Sequence, residues 1–253
     1  MGVDLQKASM WKRISAFLFD AILLCVLAVA LAALLSWVTG YDGYNTSLEA
    51  YYAHYEAQYG VTFQITGEEY EAMTQAQKDT YDTAYAALIS DADMLYVYNM
   101  VINLTMLITS IGILLAFLVL EFGVPLLLGN GQTLGKKIFA LAVVRNDAVR
   151  MNTMQLFTRT VLGKFTIETM IPVYVVIMIF FNMTGLGGTL LLAALLIVQV
   201  VLLAVTRSNS LIHDLLAGTV VVDYPSQRIF RSTEELIEYT KRIHAERAAR
   251  QTY

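Results

Sequence analysis

With one cysteine in 253 residues, Cys25, the chain forms no internal disulfide and offers no thiolate cluster for zinc. Its three histidines, His54, His213 and His244, are scattered, so no metal site is expected. Charged residues make up only 15%, against about 25% in soluble domains. Neither Gly-x-Ser-x-Gly nor His-Glu-x-x-His occurs, and the Gly-x-Gly-Asp pattern of intramembrane aspartyl proteases is also missing. The expectation is a protein that is not an enzyme and carries no cofactor. No basic stripe with interleaved aromatics supports nucleic-acid binding.

What the chain has is hydrophobic residues, 57%, in long runs. From Ile14 to Val38 the only charged side chain is Asp20. Twenty-five helical residues are long enough to cross a bilayer, and the run is too long for a signal-peptide core, so it is taken as an uncleaved first span. A charge at such a depth costs about 2.5–3.5 kcal/mol, so Asp20 should face other helices or water and have a partner. Arg13, two turns earlier on nearly the same face, is too far for easy contact; a bridge through another helix or water is expected.

Residues 39–93 hold ten acidic side chains against one base, Lys78, and the other sixteen Lys and Arg lie elsewhere. The positive-inside rule therefore places residues 1–38 as a cytoplasmic N-terminus and first span, and 39–93 outside. Nine tyrosines fall between Tyr41 and Tyr85. Capping boxes at Thr46/Glu49 and Thr66/Glu69 predict helices over Ser47–Tyr59 and from Gly67 to about Ser90, a small external hairpin. Its tyrosines either pack the helices and line the interface or form a surface for a sugar, peptide or cation.

Residues 94–222 supply the remaining core. The second span is predicted from Met94 to Leu120, with Glu121 at its inner end. The glycine-rich turn that follows fails as a phosphate loop, because Asn130 and Lys137 stand where Gly and Ser or Thr are needed. It is expected to set Lys136 and Lys137 beside lipid headgroups, ahead of a short extended segment at Phe139–Arg145. Asn152 with Gln155 caps an amphipathic helix carrying Arg159 and Lys164, expected in the inner interface. The third span has only 15 charge-free residues, Thr169–Met183, and must recruit turns containing Lys164 and Glu168. Pro172 follows Glu168 by four residues, a proline kink beside an acid. The fourth span is Thr189–Thr206. Residues 223–253 form a cytoplasmic tail whose helix, capped by Ser232 and Glu235, carries Glu238/Arg242 and Glu246/Arg250 at i,i+4.

The fold class expected is an all-α integral membrane protein. It has four transmembrane helices, an extracytoplasmic helical hairpin between the first and second, and an amphipathic inner-interface helix before the third.

Three stretches together resemble the RDD family of bacterial membrane proteins, named for an arginine and two aspartates. They are Trp11-Lys12-Arg13 with Ala16 and Asp20; Gln132-Thr133-Leu134-Gly135-Lys136-Lys137 with Val143-Val144-Arg145; and His213-Asp214-Leu215-Leu216-Ala217-Gly218-Thr219-Val220-Val221. Arg159 also sits where that family often has an arginine. The likeness covers about Ala8 to Val222; the acidic hairpin and the last helix lie outside the family's usual pattern. The resemblance implies a multi-pass protein of the bacterial plasma membrane with both termini cytoplasmic. It also implies transport, for which monovalent cation/proton exchange has been suggested among members.

Independently, Arg13, Asp20, Glu121, Arg159, Glu168, Arg207, His213 and Asp214 fall at or near one level of the spans. They are either ion pairs that fix helix register or a proton- or cation-binding site. His213 beside Asp214 is either a proton shuttle or a hydrogen-bonded interfacial residue. Two functions are carried forward. One is an ion-coupled transporter centred on Asp20, which with only four spans would be a homo-oligomer. The alternative is a non-transporting adaptor that shows the acidic hairpin to an envelope partner and basic segments to anionic headgroups.

Overall fold

The computed structural model describes residues 5–180, 184–206 and 209–251. Four helices are long and apolar enough to cross a membrane: α1 (Met10–Thr39), α5 (Ala92–Leu128), α7 (Thr153–Phe180) and α8 (Gly185–Val205). Trp11, Phe17, Ile22, Val26, Val29 and Trp37 of α1 are exposed. A helix that leaves such a surface bare in water is unstable, and a bilayer covers it. The only residues α1 buries are Ala16 and Asp20, one turn apart on one face. The side of the helix packed into protein is thus the side that carries the charge.

The chain divides into two compact units, Ala30–Gly112 and the remainder. In the first, Gly40 takes the left-handed conformation (φ 69°) between α1 and α2 (Tyr41–Tyr59). The expected start at Ser47 is corrected: Asn45 Nδ2 donates to Glu49 Oε1 at 2.9 Å in mid-helix, so no box forms at Thr46. The Thr66/Glu69 box does form, at the head of a five-residue helix, α3 (Gly67–Glu71). A second box, Thr74/Gln77, then starts α4 (Gln75–Ser90), so the second arm of the hairpin is two helices rather than one. Leu48, Leu88, Met94, Val97 and Val101 form the core of this unit, with Tyr41, Tyr44, Tyr52 and Tyr55 packed against it. Asp91 accepts from the backbone N–H groups of Asp93 and Met94 and so caps α5. Thr74→Ala should cost this unit about 1 kcal/mol, read as a lower thermal midpoint of the hairpin signal in circular dichroism.

In the other unit α5 passes through a π turn at Leu118–Gly123, after which come α6 (Leu134–Ile138) and β1 (Leu141–Arg145). Between α8 and the C-terminal helix α10 (Thr233–Gln251) lie α9 (Ile212–Ala217) and β2 (Thr219–Asp223). β1 and β2 pair antiparallel with Val143 opposite Val221, and they modify the all-α expectation by one two-stranded ribbon. Alternation explains its burial: Leu141, Val143 and Val221 pack on Ala16, while Ala142, Val144, Val220 and Val222 face Leu5 and Ile229.

The Asn152/Gln155 box starts α7, and the amphipathic segment runs into the third span without a break. Its stretch Thr158–Met170 is π-helical, with Ile171 N–H reaching Thr166 O. In an α-helix Arg159 and Glu168 are about two and a half turns apart and face opposite ways. The i→i+5 bonds of a π-helix widen each turn, so nine residues make about two turns and both side chains share a face. Arg159 is consequently buried within the protein. On α10, Arg242 pairs with Glu246 at 4.0 Å instead of with Glu238.

Candidate functional site

Seven of the eight residues singled out from the sequence converge; Arg207 lies outside the described residues. Asp20 has both carboxylate oxygens hydrogen-bonded. Its Oδ1 accepts the backbone N–H of Gly135 at 2.7 Å and its Oδ2 accepts the Thr133 hydroxyl, so α1 caps the start of α6. Gly135 is obligatory here: a Cβ on it would stand 2.4 Å from Ala16 O and 2.9 Å from Asp20 Cγ. Lys136 Nζ accompanies the carboxylate at 3.8 Å and donates to Thr133 Oγ1 at 3.1 Å. Placing Lys136 at lipid headgroups was therefore wrong. It is buried against Asp20, whereas Lys137 is exposed.

The second half of the site is built on α7 and α9. Arg159 donates from Nε and Nη2 to Asp214 Oδ1 at 3.0 and 2.8 Å, and Thr219 Oγ1 adds a third bond to the same oxygen at 3.2 Å. Arg159 Nη2 also lies 3.0 Å from His213 Nε2. A guanidinium only donates, so Nε2 is the acceptor and the imidazole proton is on Nδ1, which donates to Glu168 Oε2 at 2.7 Å. Glu168 Oε1 takes the His213 backbone N–H at 2.9 Å. Lys164 completes the set, donating to Glu121 Oε2 at 2.7 Å. His213 and Asp214 are both buried.

One atom is left over. Asp214 Oδ2 is buried and has no hydrogen-bond partner among the described residues; His213 Nε2 is 3.6 Å away and Arg13 Nη2 3.9 Å. It borders a cavity of about 220 Å³ whose charged wall is Arg13, Asp20, Lys136, Arg159, Lys164 and Asp214. Phe17, Leu203 and Leu211 supply apolar wall. Among the described residues four cations (Arg13, Lys136, Arg159, Lys164) meet four carboxylates (Asp20, Glu121, Glu168, Asp214), and His213 is neutral.

Burial pushes Lys136 down, Lys164 pushes the same way, and the ammonium titrates at about 8. Burial also pushes His213 below its ordinary value, against the pull of Asp214. Burial alone would raise Asp214; Arg159, through its charge and its hydrogen bonds, and Arg13 outweigh it and hold the carboxyl below the usual range. No group of three or more His, Cys, Asp or Glu suited to a metal ion occurs among the described residues.

Sequence reasoning missed Thr133, Gly135, Gly163 and Thr219, and it underrated Lys136 and Lys164. Lys164 was findable, since a lysine within a span calls for a buried partner as surely as Asp20 does. Gly163 carries no signal of its own: only the packing shows that a Cβ there would meet His213 Cα at 2.6 Å.

Four long apolar helices around an internal ion-pair network define a multi-pass helical membrane protein. The RDD family profile matches residues 7–218, so the chain belongs to the RDD family. Searches of curated proteins and of solved structures each found no match.

Proposed function

We propose that the protein exchanges protons for a monovalent cation across the bacterial plasma membrane. The observation that carries this reading is the buried Oδ2 of Asp214, without a hydrogen bond among the described residues, on a cavity beside a network in which four described cations meet four carboxylates. A neutral network accepts a cation only if it gives up a positive charge. Lys136 supplies that charge: it faces Asp20, Glu121, Lys164 and Arg159, and its ammonium titrates at about 8. Loss of its proton leaves one carboxylate uncompensated, which a cation at Asp214 Oδ2 restores. Asp20, with both oxygens bonded, positions α6 and Lys136 rather than offering a free ligand. In this reading both termini and the ribbon are cytoplasmic, the hairpin is external, Lys137 meets anionic headgroups, and four spans assemble as a homo-oligomer to complete a path. The chemistry is binding and release, without catalysis.

The test is proton and sodium flux in sealed vesicles, with insertion verified for each variant. Wild-type flux should exceed that of empty vesicles and rise as pH passes upward through about 8, where Lys136 becomes neutral. Asp20→Asn and Asp214→Asn should abolish it, and Lys136→Met, which removes the group that gives up the proton, should abolish proton-coupled exchange at every pH. No wild-type flux with either sodium or potassium would overturn the reading. It would favour instead an adaptor that presents the acidic hairpin to an envelope partner.

A further inference from the structure

The hairpin unit contains a cavity that the ion network does not touch. It measures about 390 Å³ and is lined by Tyr52, Phe63, Tyr81 and Tyr85 with Glu49 and Glu56. Phe63, from the connector between α2 and α3, is the hub. Its ring meets Tyr52, Tyr81 and Tyr85 edge-on, with centroids 6.1, 5.8 and 6.2 Å away, while Tyr81 and Tyr85 lie parallel at 6.4 Å. The backbone N–H of Phe63 is tied to Glu56 Oε1 at 2.7 Å, which fixes the hub to α2.

We propose that this aromatic and acidic pocket binds a small quaternary ammonium compound. The aromatic faces attract a weakly hydrated cation. The carboxylates of Glu49 and Glu56 supply the opposite charge, within a segment that carries ten acids and one lysine. A primary ammonium is a poorer fit. It requires up to three acceptors in place of its water, and one oxygen each of Glu56 and Glu49 is already engaged, by Phe63 N–H and by Asn45. A quaternary ammonium requires none. An anion is excluded by charge.

The full-length protein in a polyoxyethylene detergent, which contains neither sugar nor ammonium, is titrated by calorimetry with choline, with its uncharged isostere 3,3-dimethyl-1-butanol, and with maltose. Choline should give saturable binding about tenfold or more tighter than the isostere. Tyr85→Leu keeps bulk at a half-exposed position and should weaken choline roughly three- to tenfold. Glu56→Gln, which retains the acceptor for Phe63 N–H, should narrow the gap between choline and the isostere. Equal affinity for the two would reduce the pocket to an apolar groove and overturn the proposal. So would saturable binding of maltose without choline, or no saturable binding of any of the three.

Discussion

Replacing Arg159 with methionine is expected to destabilise the folded protein by about 3–5 kcal/mol, because it leaves a buried charge without its partner. Asp214 would lose two bonds to Oδ1, and His213 the donor to Nε2. Arg13, 3.9 Å from the other oxygen, is too distant to replace them. Adding Asp214→Leu to Arg159→Met should recover most of the loss, since a buried pair exchanged for apolar side chains of similar size is often neutral. Thermal unfolding of the two variants in detergent decides the matter. A loss under about 1 kcal/mol for the single variant would mean that water reaches the pair.

The second large effect is steric. Gly163→Ala puts a methyl group 2.5 Å from His213 Cβ and 2.6 Å from its Cα. The obstacle is backbone, which cannot swing aside as a flexible side chain does. α9 must back away from α7, and the Arg159–Asp214 bonds lengthen with it. The expected cost is about 1–3 kcal/mol from overpacking, with the loss of the buried pair added where the shift breaks it. Gly43→Ala is the contrast. That position lies inside α2 with nothing within 4 Å of a Cβ, so the change should stabilise by about 0.5–1 kcal/mol. Comparing the two midpoints separates a glycine needed for close approach from one that is merely tolerated.

These residues also show what was legible beforehand. Apolar runs announce the four spans because length and the near-absence of charge are properties of composition alone. The boxes at Thr66/Glu69 and Asn152/Gln155 were readable as local bonds, and Thr74/Gln77, of the same pattern, went unread. Arg13, Asp20, Arg159 and Asp214 stood out because a charge in an apolar run demands a partner. Which partner each takes was not legible. Asp20 is satisfied by a backbone N–H and a hydroxyl from residues more than a hundred positions away, and neither group looks special in a sequence. The π register of Thr158–Met170 was hidden for another reason. A search for a 3.6-residue period sets Arg159 and Glu168 on opposite faces, and only the wider turn unites them. β2 was unread because Thr219–Asp223 follows directly on a helix and pairs with a strand on the far side of two spans.

That last pairing has a consequence in time. Synthesis runs at about 5–20 residues per second, so β1 waits seconds after it is made before β2 exists to pair with it. Arg159 waits likewise, since Asp214 follows the fourth apolar helix. Asp20 has Thr133, Gly135 and Lys136, and Glu121 has Lys164, before α9 is made, but a chain interrupted before α9 holds Arg159 without its carboxylate. Until β2 is made the ribbon cannot close, and an unpaired β1 edge marks a molecule that has not reached that step.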